Sequence, residues 1–234
     1  MKTILFDLDG TLLPMDQDVF IKAYFGGLAT KLVPYGYEPE QLIKGIWAGT
    51  NAMIENDGRM TNEEAFWQTF SMLLGPDVRK YEPIFDEFYR KEFQFVALSC
   101  GHAPQAAQTI AYLKEHGCRV VLATNPIFPA VATKSRMKWA GLNELDFTLV
   151  TTYENSRHCK PNPDYYRDIL AAIGETPENC IMVGNDVAED MIARELGMEV
   201  FLLTDCLINK ENKDISQYPN GSFPELLAWL KTHI

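Results

Sequence analysis

Five short, almost wholly apolar runs punctuate this chain, and they limit its fold more than any other feature. They are residues 2–6, 119–123, 147–151, 180–184 and 199–203. A strand with one face in water alternates apolar and polar residues, whereas runs like these belong to strands covered on both faces. Between them lie helical stretches with legible ends. Pro104 opens one that runs to Lys114 and stops at Gly117. Asn162 and Pro163 give a cap and a first-turn proline to another that stops at Gly174, and Gly141 and Gly197 close two more. Strand and helix in alternation at this spacing predict an α/β fold, a Rossmann-like parallel sheet with helices on both faces.

Residues 16–95 read differently. They contain no convincing strand and carry large apolar residues at helical spacing, such as Trp67, Phe70, Leu73 and Leu74. Thr61 with Glu64 three residues on makes a capping box, and Pro34, Gly36 and Pro39 mark a turn between helices. The expected organisation is therefore a core domain from residues 1–15 and 96–234, interrupted by an all-helical domain at 16–95. A length of 234 residues suits one core with one substantial insertion. Residues 209–221 are polar and turn-rich, which predicts a surface excursion before a last helix ending near Thr232.

The chain carries 21 Lys and Arg against 32 Asp and Glu, a net charge of -11. That balance argues against nucleic acid or an anionic membrane as partner, because both need clustered positive charge to displace counterions. A small phosphorylated substrate remains compatible if a cation and one or two lysines act locally. No apolar run approaches the ~18 residues that cross a bilayer, and Asp7 and Asp9 interrupt the apolar stretch near the start, where a secretion leader would lie. Five cysteines without any paired spacing read as reduced thiols, so a cytoplasmic location is expected. The oligomeric state is not legible.

The chemistry concentrates after the first run, at Phe6-Asp7-Leu8-Asp9-Gly10-Thr11-Leu12. Alternation along an extended chain puts Asp7 and Asp9 on one side, at the carboxyl end of a strand, where open parallel sheets bind their ligands. Two carboxylates held together repel unless a cation or a shared proton relieves them, which favours a divalent metal.

This segment resembles the DxDGT signature of phosphatases in the haloacid dehalogenase superfamily, and further motifs follow in the family's order. Thr124-Asn125 ends the second run, Lys160 precedes the helix capped by Asn162, and an acidic group, Asn185-Asp186-Val187-Ala188-Glu189-Asp190, follows the fourth. The resemblance implies that Asp7 attacks phosphorus and that Asp9 serves as general acid and then general base. It implies that Thr124, Asn125 and Lys160 hold the phosphoryl group, and that Asp7, Asp9 and Asp186 bind Mg²⁺. The family's pattern has an acidic residue where this chain has Asn185. Asp186 is therefore the expected carboxylate ligand, Asn185 is able to add a side-chain oxygen, and Asp190 stands behind them or ligates directly. The helical insertion resembles the cap that closes over such sites.

The implied activity is a Mg²⁺-dependent phosphohydrolase that works on a small phosphorylated metabolite through an aspartyl phosphate. Other chemistries share the scaffold. A dehalogenase has no need of Asp9, and a phosphonatase needs a cap lysine, for which Lys22, Lys31 and Lys44 are the candidates. A sugar phosphomutase differs mainly in how well the closed site keeps water out. A non-catalytic phosphate-binding module is motivated by Asn185, and a receiver domain is about half this length. His158 is the one histidine near a motif.

Overall fold

The computed structural model describes residues 2–234. Strand β1 (Thr3–Phe6) is buried along its whole length and lies at the centre of the sheet. It pairs in parallel with β2 (Arg119–Leu122) on one side and β4 (Cys180–Gly184) on the other. With β3 (Leu149–Val150), β5 (Glu199–Leu203) and β6 (Asn220–Gly221) they form one parallel sheet in the order β3-β2-β1-β4-β5-β6. The expected parallel α/β core is present.

Alternation along β1 sends side chains to both faces. Ile4 and Phe6 pack with Ile110 of helix α5 (Pro104–Glu115), Met137 of α6 (Ala130–Trp139) and Leu226 of α8 (Phe223–Leu230). Leu5 faces the other way, onto Tyr165 and Ile169 of α7 (Pro163–Ile173). Full burial of an aliphatic or aromatic side chain contributes about 1.5–3 kcal/mol. These two layers are what hold the end of β1, and hence Asp7, in place.

Three expectations need correction. The third stretch, 147–151, yields only the two-residue β3, which sits at the sheet edge with β2 as its sole neighbour and stays half-buried. The segment closed by Gly197 is a run of 3-10 turns over Met191–Leu196 rather than an α-helix. The excursion at 209–221 returns to the sheet and adds β6, where Thr204 N donates to Gly221 O at 2.9 Å. Its polar residues conceal an edge strand that makes no core side-chain demand.

Between residues 17 and 90 the chain forms α1 (Gln17–Leu32), α2 (Pro39–Ile54), α3 (Asn62–Leu74) and α4 (Glu82–Arg90). They surround a cluster that includes Phe20, Leu28, Ile46, Trp67, Phe70, Phe85 and Phe88. The capping box at Thr61 and Glu64 forms as expected. Leu73 instead faces solvent, because the apolar stripe of α3 runs through Ala65, Trp67 and Phe70.

The chain enters and leaves this helical unit at one place. Met15 and Cys100 form an antiparallel bridge, and Gly101 N donates to Pro14 O at 2.7 Å. A second, non-covalent contact lies at the start of α3, where Asn62 N donates to Ser156 O at 2.8 Å and Glu63 N to Tyr153 O at 2.9 Å. The Asn62 amide also donates to Pro126 O at 3.2 Å. Among the described residues no helix is long and apolar enough to cross a membrane, and no two cysteines are joined.

Candidate active site

β1, β2 and β4 all end on the same side of the sheet, and the residues that follow them converge there. Asp7 continues the β1 ladder, its N–H donating to Val183 O at 2.9 Å. The tight turn behind it needs Gly10, whose φ is +87° and whose position leaves no room for a Cβ against the Asn185 amide. Gly184 is dictated by closeness alone, since a Cβ there would fall within 2.1 Å of the Asp190 carboxylate.

Lys160 is the electrostatic centre. Its ammonium is fully buried and donates to Asp7 Oδ1 at 2.9 Å and to Asp190 Oδ1 at 2.7 Å. Burial by itself pulls this ammonium down, but Asp190 and Asp7 more than offset that and hold it well above the ordinary lysine value. Burial pushes Asp190 up from its ordinary value, with Lys160 opposing. The direction that follows is a lysine that stays charged between two carboxylates, with negative charge in excess.

Asp190 is fully engaged. Its second oxygen accepts from Asp186 N at 2.9 Å, so neither oxygen faces the cavity free of a partner. Asn185 is engaged as well, because Thr11 Oγ1 donates to its Oδ1 at 2.9 Å and its Nδ2 donates to Cys206 O at 2.6 Å. This amide braces the first motif against the loop after β5. Asp186 uses only Oδ1, which accepts from Ala188 N at 2.7 Å and Glu189 N at 3.0 Å. Asn125 accepts from Lys160 N at 3.2 Å and donates to Glu189 Oε2 at 3.1 Å. Thr124 is held through its carbonyl, which accepts from Thr151 Oγ1 at 2.7 Å and Tyr165 OH at 2.8 Å.

Asp9 points toward α6, where its Oδ2 is paired with the guanidinium of Arg136. Arg136 is fully buried, lies 4.3 Å over the Phe128 ring and donates to Thr133 Oγ1 at 3.2 Å. Asp9 Oδ1 is buried without any hydrogen-bond partner. Burial pushes the Asp9 carboxyl up, Arg136 opposes, and neighbouring Asp7 adds to the rise. Arg136 is the site residue that sequence reasoning missed. The available signal was its place four residues from both Ala132 and Ala140, on a helix face of small buried residues.

The sequence candidates Asp7, Asp9, Thr124, Asn125, Asn185, Asp186 and Asp190 all line one cavity of about 320 Å³ beneath the helical unit. Lys160 lies behind them rather than in the lining. His158 is turned away, its Nδ1 lying 2.8 Å from Asp168 Oδ2 on α7.

The donor set suits a hard cation that keeps much of its water. Among the described residues no three His, Cys, Asp or Glu side chains form a ready ligand cluster. Asp7, Asp9 and Asp186 line the same cavity, and no hydrogen bond among the described residues ends on the Asp9 carbonyl. Magnesium is commonly held in this way, by one or two carboxylates plus waters and substrate phosphate.

Comparison with known proteins agrees with this geometry. Residues 1–196 match the family model described as haloacid dehalogenase-like hydrolase. A phosphoglycolate phosphatase of Aquifex aeolicus is 24% identical over 237 residues, covering 100% of this chain and 99% of that protein. A pyrophosphatase, PpaX, of Bacillus cereus is 25% identical over 186 residues, covering 80% and 75%. Among solved structures, a HAD phosphatase from Thermococcus onnurineus superposes with a TM-score of 0.61 at 19% identity, covering 98% of each chain. An L-2-haloacid dehalogenase from Xanthobacter autotrophicus superposes with a TM-score of 0.59 at 17% identity, covering 100% of each. Phosphatase and dehalogenase share the fold, so the fold alone leaves the reaction open.

Proposed function

Since the chain belongs to the haloacid dehalogenase-like hydrolase family and is a phosphatase of it, we propose that it hydrolyses a small phosphorylated metabolite with Mg²⁺, through phosphorylation of Asp7. The observation that carries this reading is the placement of Asp9. It stands two residues from the nucleophile, in the same cavity, with one buried oxygen lacking a partner and its pKa raised by burial. A dehalogenase has no use for such a group, whereas ester hydrolysis needs a proton delivered to the leaving oxygen. The cavity lining holds no lysine for phosphonatase chemistry, and Lys31 is bound instead to Glu92 at 2.9 Å.

Asp7, Asp186 and the Asp9 carbonyl would hold the cation, with Asp190 supporting them from behind. Bound there, Mg²⁺ would offset the carboxylate charge and orient the phosphoryl oxygens.

The steps fall to this chain's own residues. A carboxylate oxygen of Asp7 forms a bond to phosphorus as the bond to the ester oxygen breaks, and Asp9 gives its proton to that oxygen. Water then attacks phosphorus, Asp9 takes a proton from it, and the bond to Asp7 breaks to release inorganic phosphate. Lys160, paired with Asp7, holds the attacking carboxyl in place and screens it from the incoming anion. Thr124 and Asn125 offer donors to the phosphoryl oxygens. The helical unit acts as a cap that closes the cavity over the substrate.

Phosphate release from p-nitrophenyl phosphate, with Mg²⁺ and after chelation, tests this reading. Failure to find metal-dependent turnover across a broad panel of phosphate esters would replace it with a binding role.

A further inference from the structure

The part of the cavity beyond the phosphoryl site is aromatic and acidic. Phe25, Trp47, Phe66, Trp67 and Phe85 of the helical unit contribute to its wall. Phe25 and Trp47 meet edge to face at 5.4 Å between centroids, as do Trp67 and Phe85 at 5.6 Å. Glu63, Glu82, Asp86 and Glu154 line the same space. No Lys, Arg or His is in the lining; Arg79 lies 4.9 Å over the Trp67 ring and pairs with Glu82, while the buried Lys160 and Arg136 are paired with Asp7, Asp190 and Asp9.

The four outer carboxylates are not equivalent. Glu154 accepts from Ala130 N at the start of α6, at 2.8 and 3.0 Å. Glu82 pairs with Arg79 at 3.1 Å and Asp86 with Arg90 at 3.5 Å. Glu63, in the first turn of α3, has no hydrogen-bond or ion-pair partner for its side chain among the described residues. Burial and the nearby charges of Glu154 and Glu82 push it up. Trp67 is 3% exposed and stands beside Tyr153, which lines the same cavity.

Given the phosphohydrolase reading, on which this inference rests, we propose that the alcohol released from the substrate carries a positively charged amine on an apolar or aromatic body. Aromatic faces attract cations, more strongly when water is excluded, and Glu63 supplies the counter-charge. A leaving group bearing a carboxylate or second phosphate would meet four acids and no unpaired cation. That preference separates this chain from enzymes whose substrates carry a second anion.

Three aryl phosphates identical at the ester oxygen test the point: 4-(2-aminoethyl)phenyl, 4-ethylphenyl and 4-(2-carboxyethyl)phenyl phosphate. With the Mg²⁺-loaded enzyme, kcat/KM should fall in that order. The amine should lead the carboxylate at least about tenfold, the effect of one charge a few ångströms away in a partly screened wall. The same esters titrated calorimetrically into Asp7→Asn with Mg²⁺ should bind in the same order, which reads the preference even if no turnover occurs. Glu63→Gln should pull the amine-to-carboxylate ratio toward one. A ratio near one in the parent protein, or a lead for the carboxylate, overturns the inference whether or not the esters are hydrolysed.

Discussion

Asp9 and Arg136, 127 positions apart in the chain, form an ion pair whose arginine end has no solvent exposure at all. The pair ties Asp9, the proposed proton-transfer group, to α6. Removing one end of a buried pair strands the other, and the penalty falls on the more deeply buried partner. Asp9→Ala should therefore cost about 2 kcal/mol of folding stability, discounted from the fully buried range because Asp9 is partly exposed. Arg136 would be left with only Thr133 and the Phe128 ring. Urea denaturation of the variant checks this, and an unchanged midpoint would mean that the ion pair contributes nothing.

Asp7→Asn presents the contrasting case. Lys160 keeps Asp190 as its partner, so stability should change by less than about 1 kcal/mol. Phosphate release should nevertheless disappear, along with any acid-stable label transferred from a ³²P-labelled ester. Residual turnover at the parent rate would remove Asp7 as nucleophile.

Asp186 and Asp190 should separate by metal titration. Asp186 has one oxygen without a hydrogen-bond partner, whereas both oxygens of Asp190 are held by Lys160 and Asp186 N. Asp186→Asn should raise the Mg²⁺ concentration for half-maximal activity by about tenfold or more. Asp190→Asn should chiefly lower kcat, since it loosens Lys160. If Asp190→Asn shifts the magnesium requirement further than Asp186→Asn does, the ligand assignment is reversed.

Stability should depend on pH and metal together. Burial, more than any other influence, pushes Glu189 from its ordinary value of 4.5 to about 8. Between those values the folded protein retains a proton that the unfolded chain has released, so metal-free stability falls as pH rises through that window. A divalent cation favours the ionised carboxylates and counters the loss. The melting temperature of chelated protein should drop between about pH 5.5 and about pH 8.5, and added Mg²⁺ should raise it more at the upper value. An equal rise at both values would show that the ion does not bind among these acids.

Much of this site is legible in the sequence because the constraints that form it are local. The fully buried run of β1 ends at Asp7, Gly10 makes a turn that other residues resist, and Asn162 caps the helix just after Lys160. Arg136 is illegible for the opposite reason. A basic residue in a helix ordinarily reads as a solvated face, and only long-range folding brings Asp9 to it. β6 is hidden likewise, because a two-residue edge strand needs neither apolar side chains nor alternation. The sequence ranks Asp186 above Asn185 as a ligand only by the chemistry of the side chains, and it leaves Asp190 open. They differ in which neighbours occupy their oxygens, a property of packing.

The paired crossing at Met15 and Cys100 gives the molecule the economy of an interchangeable tool head. One narrow neck is the covalent passage between the strand ends that hold Asp7 and Lys160 and the helices that carry the aromatic wall, so, on the proposed reading, sequence drift in the wall would retune which molecules are admitted while Asp7 and Lys160 keep their register.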